Sequence, residues 1–214
     1  MADLLVKNAD NDERYHHGNL RLALIAAAEL ELAENGPERF SLRGCARRAN
    51  VSHAAPAHHF GDAAGLLDAL IALGFDRLCQ AMTKEMEAAS KDPANQMTAS
   101  AVGYVRHAVD NPHLFKLMFA NQFREHASTE LIANSERAFG ILVEVVSNQT
   151  GIPALKTKEG SVDIASLWSA VHGYAHLLIA KRLRMLTSAS LDEHSEIIKQ
   201  IAARAIPAQL HIKH

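Results

Sequence analysis

The sequence predicts an all-α protein, on three observations. Apolar residues recur at three- and four-residue intervals through most of the chain, helix-cap and helix-stop signatures separate those stretches, and no run shows the alternation of a half-buried strand. At 214 residues, 48% hydrophobic and 21% charged, the chain can bury a sizeable core. It carries no internal repeat.

Residues 1–13 mix acids with small polar residues without a period, and Arg14–Asn19 (RYHHGN) leads into the first apolar pattern, so the N-terminus reads as an arm. From Leu20, the residues Leu24, Ile25, Ala28 and Leu32 repeat at helical spacing as far as Asn35-Gly36-Pro37, a left-handed glycine followed by a breaker. Ser41 is the expected cap of a short second helix, SLRGCARRA, with Leu42, Cys45 and Ala46 inward and Arg43, Arg47 and Arg48 outward. Gly44 weakens that helix by about 1 kcal/mol relative to alanine. Asn50 suits a left-handed turn, and Ser52 is expected to cap a third helix that runs into His59. Pro56 is then its fourth residue, where the missing N–H costs well below the roughly 3 kcal/mol of an interior proline.

Asp62 caps a fourth helix that runs through Leu66, Leu70, Leu73 and Leu78 to about Ala89, and Asp92-Pro93 is a break. Met97–Asp110 forms the next element, and Asn111-Pro112 reads as cap and first helical residue of HLFKLMFAN. Ser128–Gln149 follows, with Leu131, Ile132, Phe139, Leu142 and Val146 at helical spacing, and ends at Thr150-Gly151-Ile152-Pro153. Two long helices close the chain, roughly Lys158–Arg184 and Leu191–Ile206.

Several classes are disfavoured at once. No window approaches 18 uninterrupted apolar residues, and the N-terminus is acidic where a signal peptide would be basic, so a soluble, cytoplasmic protein with no membrane partner is expected. Cys45 and Cys79, 34 positions apart, form neither a metal-binding pair nor a disulfide framework. Net charge is only −2, so any nucleic-acid contact must come from local clustering.

Such a cluster exists in Val51–Phe60 (VSHAAPAHHF), which has three histidines in ten residues. Two short helices joined by a tight turn, the second with a small polar outer face, follow the plan of a helix-turn-helix whose second helix enters the DNA major groove. Ala54, Ala55 and Ala57 keep that helix narrow, while Ser52, His53, His58 and His59 present donors to phosphates and base edges. Ser41 and Arg43 at the start of the preceding helix, and Arg14 and His17 on the arm, are further candidate DNA contacts. Arg47 and Arg48 read instead as a solvated face.

The run from Tyr15 to about Leu70 resembles the N-terminal domain of the TetR/AcrR family of bacterial transcriptional regulators. Its short polar recognition helix ends in His-Phe and is followed by an acid-capped helix. The resemblance implies a DNA-binding domain over residues 1–60, an effector-binding and dimerisation domain over 61–214, and a homodimer paired through the last two long helices on a palindromic operator. It also implies repression relieved by a small-molecule effector, and no enzyme activity. Trp168, His172 and Gly173 are similar to a branch of the family with a Trp-x-x-x-His-Gly motif. The chain departs from the family at Ala57, where tyrosine is usual, and at Ala63, where lysine is usual. Both commonly hold phosphates, so weaker DNA binding and a flatter salt dependence are expected.

HLFKLMFANQF (His113–Phe123) is apolar on nearly every face, as suits a surrounded helix. Phe115, Met118, Phe119 and Phe123, with Tyr104, Trp168 and His172, supply the aromatic walls and few polar handles of a small-molecule pocket. His172 and His176 lie one helical turn apart, but no acid or cysteine stands beside them to complete a metal site, so no metal or other cofactor is expected. The rival reading is a helical ligand-binding protein or enzyme that has lost DNA binding. No nucleophile, base and orienting group stand at interpretable spacing to support an enzyme.

Overall fold

The computed structural model describes residues 20–36, 39–120, 127–186 and 190–206, except for the side chains of Leu191 and Asp192. Its described residues form helices and no strand. The helices are α1 (20–35), α2 (Leu42–Arg48), α3 (Ala55–Phe60), α4 (Ala63–Ala88), α5 (Pro93–Asp110), α6 (Pro112–Met118), α7 (Thr129–Thr150), α8 (Lys158–Ile179) and α9 (Leu191–Ala205). Short 3-10 turns at Ala154–Lys156 and Arg184–Leu186 flank α8.

The chain divides into two compact units. One contains the described residues up to Ile71 and within Lys116–Ser128; the other contains Ala72–Phe115 and the described residues from Thr129 onward. In the first, the α1 stripe of Leu24, Ile25, Ala28 and Leu32 is buried with Cys45, Ala46, Pro56, Leu66 and Leu70. In the second, α5 packs on α7, α8 and α9, and α8 also packs on α9. Its core includes Leu78, Met97, Phe115, Val145, Val146, Leu167, Val171 and Ile198.

Most boundaries follow the local signals. Gly36 and Gly151 take φ values of 71° and 70° at the ends of α1 and α7, a left-handed conformation that glycine adopts without strain. Asp62 accepts from the Gly65 N–H at 2.9 Å, as the expected cap of α4. Ser190 and Glu193 form a reciprocal capping box at the start of α9.

The boundaries of α5 and α8 depart from the sequence expectation. Helix α5 begins at Pro93, with the Asp92 carboxylate accepting from the Asn95 N–H at 3.1 Å, so Asp92-Pro93 is a start as well as a stop. Its first turn is exposed, and an apolar period therefore cannot be seen before Met97. Helix α8 ends at Ile179, short of Arg184. Arg182 and Lys181 donate to the Leu177 and Leu178 carbonyls, both at 2.9 Å, with Lys181 at φ 53°. This is a Schellman ending on a lysine, a residue that gives no sequence warning. No described helix is long and apolar enough to cross a membrane.

Candidate DNA-reading surface and effector site

In the first unit, a buried carboxylate fixes α1 to α2. Glu31 is only 3% exposed and lies on the apolar stripe of α1, three residues after Ala28. It accepts from Arg48 Nε at 2.7 Å and from the Ser41 hydroxyl at 3.4 Å, while the same guanidinium reaches Glu34 in a forked pair. These acids hold the Arg48 guanidinium above its usual range, and Arg48 in turn holds the Glu34 carboxyl below its own. Arg48 therefore does not belong to the solvated face expected for it. The missed signal was Glu31, an acid on an inward-facing helix position that calls for a partner. Gly44 has its reason here too, since a Cβ at that position would lie 2.0 Å from Glu31 Oε1.

The turn that follows is another Schellman ending. Asn50 at φ 53° and Val51 donate to Arg47 and Ala46 carbonyls at 3.2 and 3.0 Å. Helix α3 then starts later than expected, with Ala54 and not Ser52 as its cap residue and no side-chain cap bond. Ser52 contributes its carbonyl, which accepts from the Ala55 N–H at 3.0 Å. The later start puts Pro56 within the first turn, where no backbone donor is needed and its fixed φ suits the helix. Pro56 is also among the most fully buried side chains, a core role the sequence reading did not assign.

This geometry places Ser52, His53, Ala54, Ala57 and His58 in solvent, with Ala55 and His59 half-buried. The His58 and His59 rings meet edge to face at 5.5 Å between centroids. Ser41 and Arg43 are exposed, though the Ser41 hydroxyl already caps the Gly44 N–H at 3.1 Å. Arg21 lies 5.5 Å over the ring of Phe60, tying α1 to the end of α3. The arm candidates Arg14 and His17 lie outside the described residues. Cys45, fully buried, has its thiol pushed up to about 11, first by burial and then by Glu31, and so is no nucleophile at neutral pH.

In the second unit, α5, α6 and α8 bring Tyr104, Phe115 and His172 together. The Tyr104 hydroxyl and His172 Nδ1 are hydrogen-bonded at 2.7 Å, and the Phe115 ring lies 5.5 Å from Tyr104 and 5.4 Å from His172. His176 completes the group, 4.4 Å from His172 and 5.3 Å from Phe115. Burial, and then His176, push His172 down to about 4, and burial pushes Tyr104 up, against an opposing hydrogen bond from Trp168. Trp168 is 38% exposed, and its ring lies 6.0 Å from that of Phe139. Met118 is buried and Phe119 half-buried, both in the first unit, and Phe123 lies outside the described residues. No group of three or more metal-ligating side chains occurs among the described residues.

His107 was not anticipated. It is 4% exposed, its Nε2 has no hydrogen-bond partner, and burial followed by Arg77 pushes it down to about 4. Because the folded value lies below the ordinary one, the unfolded chain binds this proton first as pH falls. The stability it protects is present above about pH 6.5 and is lost towards pH 4. Between pH 7 and pH 5, urea unfolding of the native chain is expected to lose about 2 kcal/mol more than that of His107→Leu.

Comparison with known proteins bears on the same two regions. Residues 24–70 match the family described as bacterial regulatory proteins, tetR family, and residues 97–198 match the tetracyclin repressor-like C-terminal domain. The chain belongs to the TetR family. One relative is the HTH-type transcriptional regulator BetI of Burkholderia cenocepacia (strain HI2424), 26% identical over 185 residues, covering 75% of this chain and 94% of the relative. A protein of unknown function from Rhodococcus sp. RHA1 is 32% identical, with a TM-score of 0.74 over 91% of this chain and 98% of its own. A TetR family transcription regulator from Marinobacter aquaeolei VT8 shares the fold at 21% identity, with a TM-score of 0.67 over 90% of this chain and 97% of its own. The TetR N-terminal match spans α2, its turn and α3, which carry the exposed imidazoles.

Proposed function

We propose that this TetR-family protein is a cytoplasmic, homodimeric repressor that binds a palindromic duplex operator and is released from it by a small molecule. Residues 1–60 form the DNA-binding part in this reading, and residues 61–214 form the effector and dimerisation part. The observation that carries it is the outward presentation of Ser52 and His53 just beyond a left-handed turn, and of His58 on the following helix, which is slim enough for the major groove. Arg43 and Ser41, Ala54, Ala55 and His59, and Arg14 and His17 on the arm, complete the proposed contact surface. Tyr104, Phe115, Trp168 and His172 of the second unit line the proposed effector site. Helices α8 and α9 pair with those of a second copy, and the exposed Val162 and Leu177 of α8 support that pairing. Two recognition helices must sit about 34 to 36 Å apart to enter successive grooves, so an effector that changes this spacing shifts the population away from DNA.

The test is fluorescence anisotropy with duplex DNA from upstream of the coding region, at low and moderate salt. The exposed imidazoles of His53 and His58 are the side chains offered to phosphates and base edges. The double variant His53→Ala/His58→Ala is expected to weaken binding about tenfold at low salt. Absence of binding by the native protein at low salt would favour the rival, a helical ligand-binding protein without DNA activity.

A further inference from the structure

Between Val51 and Phe60 the chain has no arginine, lysine, asparagine, glutamine, aspartate or glutamate. Those six side chains supply the strongest base-specific hydrogen bonds to guanine, adenine and cytosine in the major groove. The side chains this segment does expose belong to Ser52, His53, Ala54, Ala57 and His58. A hydroxyl or an imidazole offers single hydrogen bonds, which phosphate oxygens and several base edges accept alike. Ala54, the cap residue of α3, already has helical dihedrals, φ −82° and ψ −21°. Ala57 follows it by three positions and His58 by four, so the three share one helix face. Pro56, buried on the opposite side, fixes the direction in which that face points. Two methyl groups therefore stand outward on α3, and the neighbouring imidazoles are the only longer side chains exposed beside them.

We infer that this face selects thymine through contact with its 5-methyl group, Ala54 and Ala57 supplying the apolar surface while the imidazoles add affinity with little base preference. The inference rests on the operator reading above and adds the base that is recognised. Thymine alone among the four bases carries a methyl in the major groove, and an alanine side chain distinguishes it by apolar contact without a hydrogen bond. That contact requires close approach, because dispersion attraction falls away steeply once a gap opens between the carbon atoms. One-carbon side chains on a slim helix permit such approach. Cytosine, the other pyrimidine, carries only hydrogen at the same ring position, so a C·G pair forfeits the contact. Three residues advance about 4.5 Å along a helix, near the roughly 3.4 Å step between stacked bases, so Ala54 and Ala57 suit neighbouring thymines.

Methyl recognition can be tested by altering the DNA and leaving the protein intact. The duplex from upstream of the coding region is prepared unmodified, with deoxyuridine in place of thymidine, and with 7-deazaguanine in place of guanine. Uracil pairs as thymine does but lacks the methyl, and 7-deazaguanine lacks the N7 acceptor. Anisotropy titrations of the full-length protein at low salt are expected to show about tenfold weaker binding of the uracil duplex, each lost methyl contact costing about fourfold. The 7-deazaguanine duplex should lose no more than about threefold. The unmodified and uracil duplexes should share one salt slope, because no phosphate is altered. In Ala54→Gly/Ala57→Gly both side-chain methyls are gone. The glycines weaken the helix and lower affinity for every duplex alike, but the thymine and uracil forms should then bind equally. A thymine preference that arose from DNA shape would survive in this variant. Equal binding of the thymine and uracil duplexes by the native protein, a preference undiminished in the double variant, or a greater loss with 7-deazaguanine than with uracil would each overturn the inference. Tight binding of all three duplexes defeats the base assignment and leaves the operator reading standing; binding of none of them defeats both.

Discussion

Gly103→Ala is expected to destabilise the protein by roughly 3 kcal/mol, lowering its thermal midpoint by roughly 6–12 °C, although alanine is the better helix former. In the middle of α5, a Cβ at this position would lie 2.5 Å from the Ala81 carbonyl oxygen and 2.6 Å from Met82 Cα. Both atoms belong to the α4 backbone, which cannot swing aside as a side-chain tip can. The helices must separate, and buried neighbours such as Met82, Ala99 and Val102 lose contact along the seam. The gain of about 1 kcal/mol from replacing a helical glycine is outweighed. Gly140 in α7 has nothing within 4 Å of the same virtual atom, so Gly140→Ala should raise the midpoint. Circular-dichroism melts of the two variants beside the native protein check both signs; a Gly103→Ala protein as stable as the native one would refute the close approach.

Arg48→Met is the second large effect. It is expected to lower the thermal midpoint by about 10 °C and to abolish duplex binding. The variant strands the Glu31 carboxylate in a site only 3% exposed, with the distant Ser41 hydroxyl as its remaining partner. The pair also sets how α2 lies on α1, so its loss loosens the base from which α3 projects. Removing the acid as well, in Glu31→Leu/Arg48→Met, should restore more than half of the lost midpoint, because a well-packed apolar pair replaces a buried ionic one at little cost. If the double variant is no more stable than Arg48→Met, the carboxylate is not what destabilises the single change.

Local features were legible and distant pairings were not. The stripe of Leu24, Ile25, Ala28 and Leu32, the glycine stops at Gly36 and Gly151, and the caps at Ser41 and Asp62 each depend on residues within a turn or two of one another. Asn50 could be read as a left-handed turn residue because asparagine tolerates that conformation, while Lys181, in the same conformation, could not. Among the candidate site residues, the outward placement of His53 and His58 followed from the period of a short helix. The Tyr104–His172 bond joins residues 68 positions apart, and the Glu31–Arg48 pair joins two helices, so neither leaves a periodic trace. His107 hid for a related reason: at a core position of α5, a histidine with an unserved nitrogen looks like any other inward residue.

The placement of the two thiols has a practical consequence. Cys45 belongs to one compact unit and Cys79 to the other, and both are buried as free thiols. A maleimide or disulfide reagent can reach either one only during a transient opening of its surroundings. Labelling kinetics followed by peptide mapping would therefore time the breathing of the two halves separately, in one tube and without an engineered reporter.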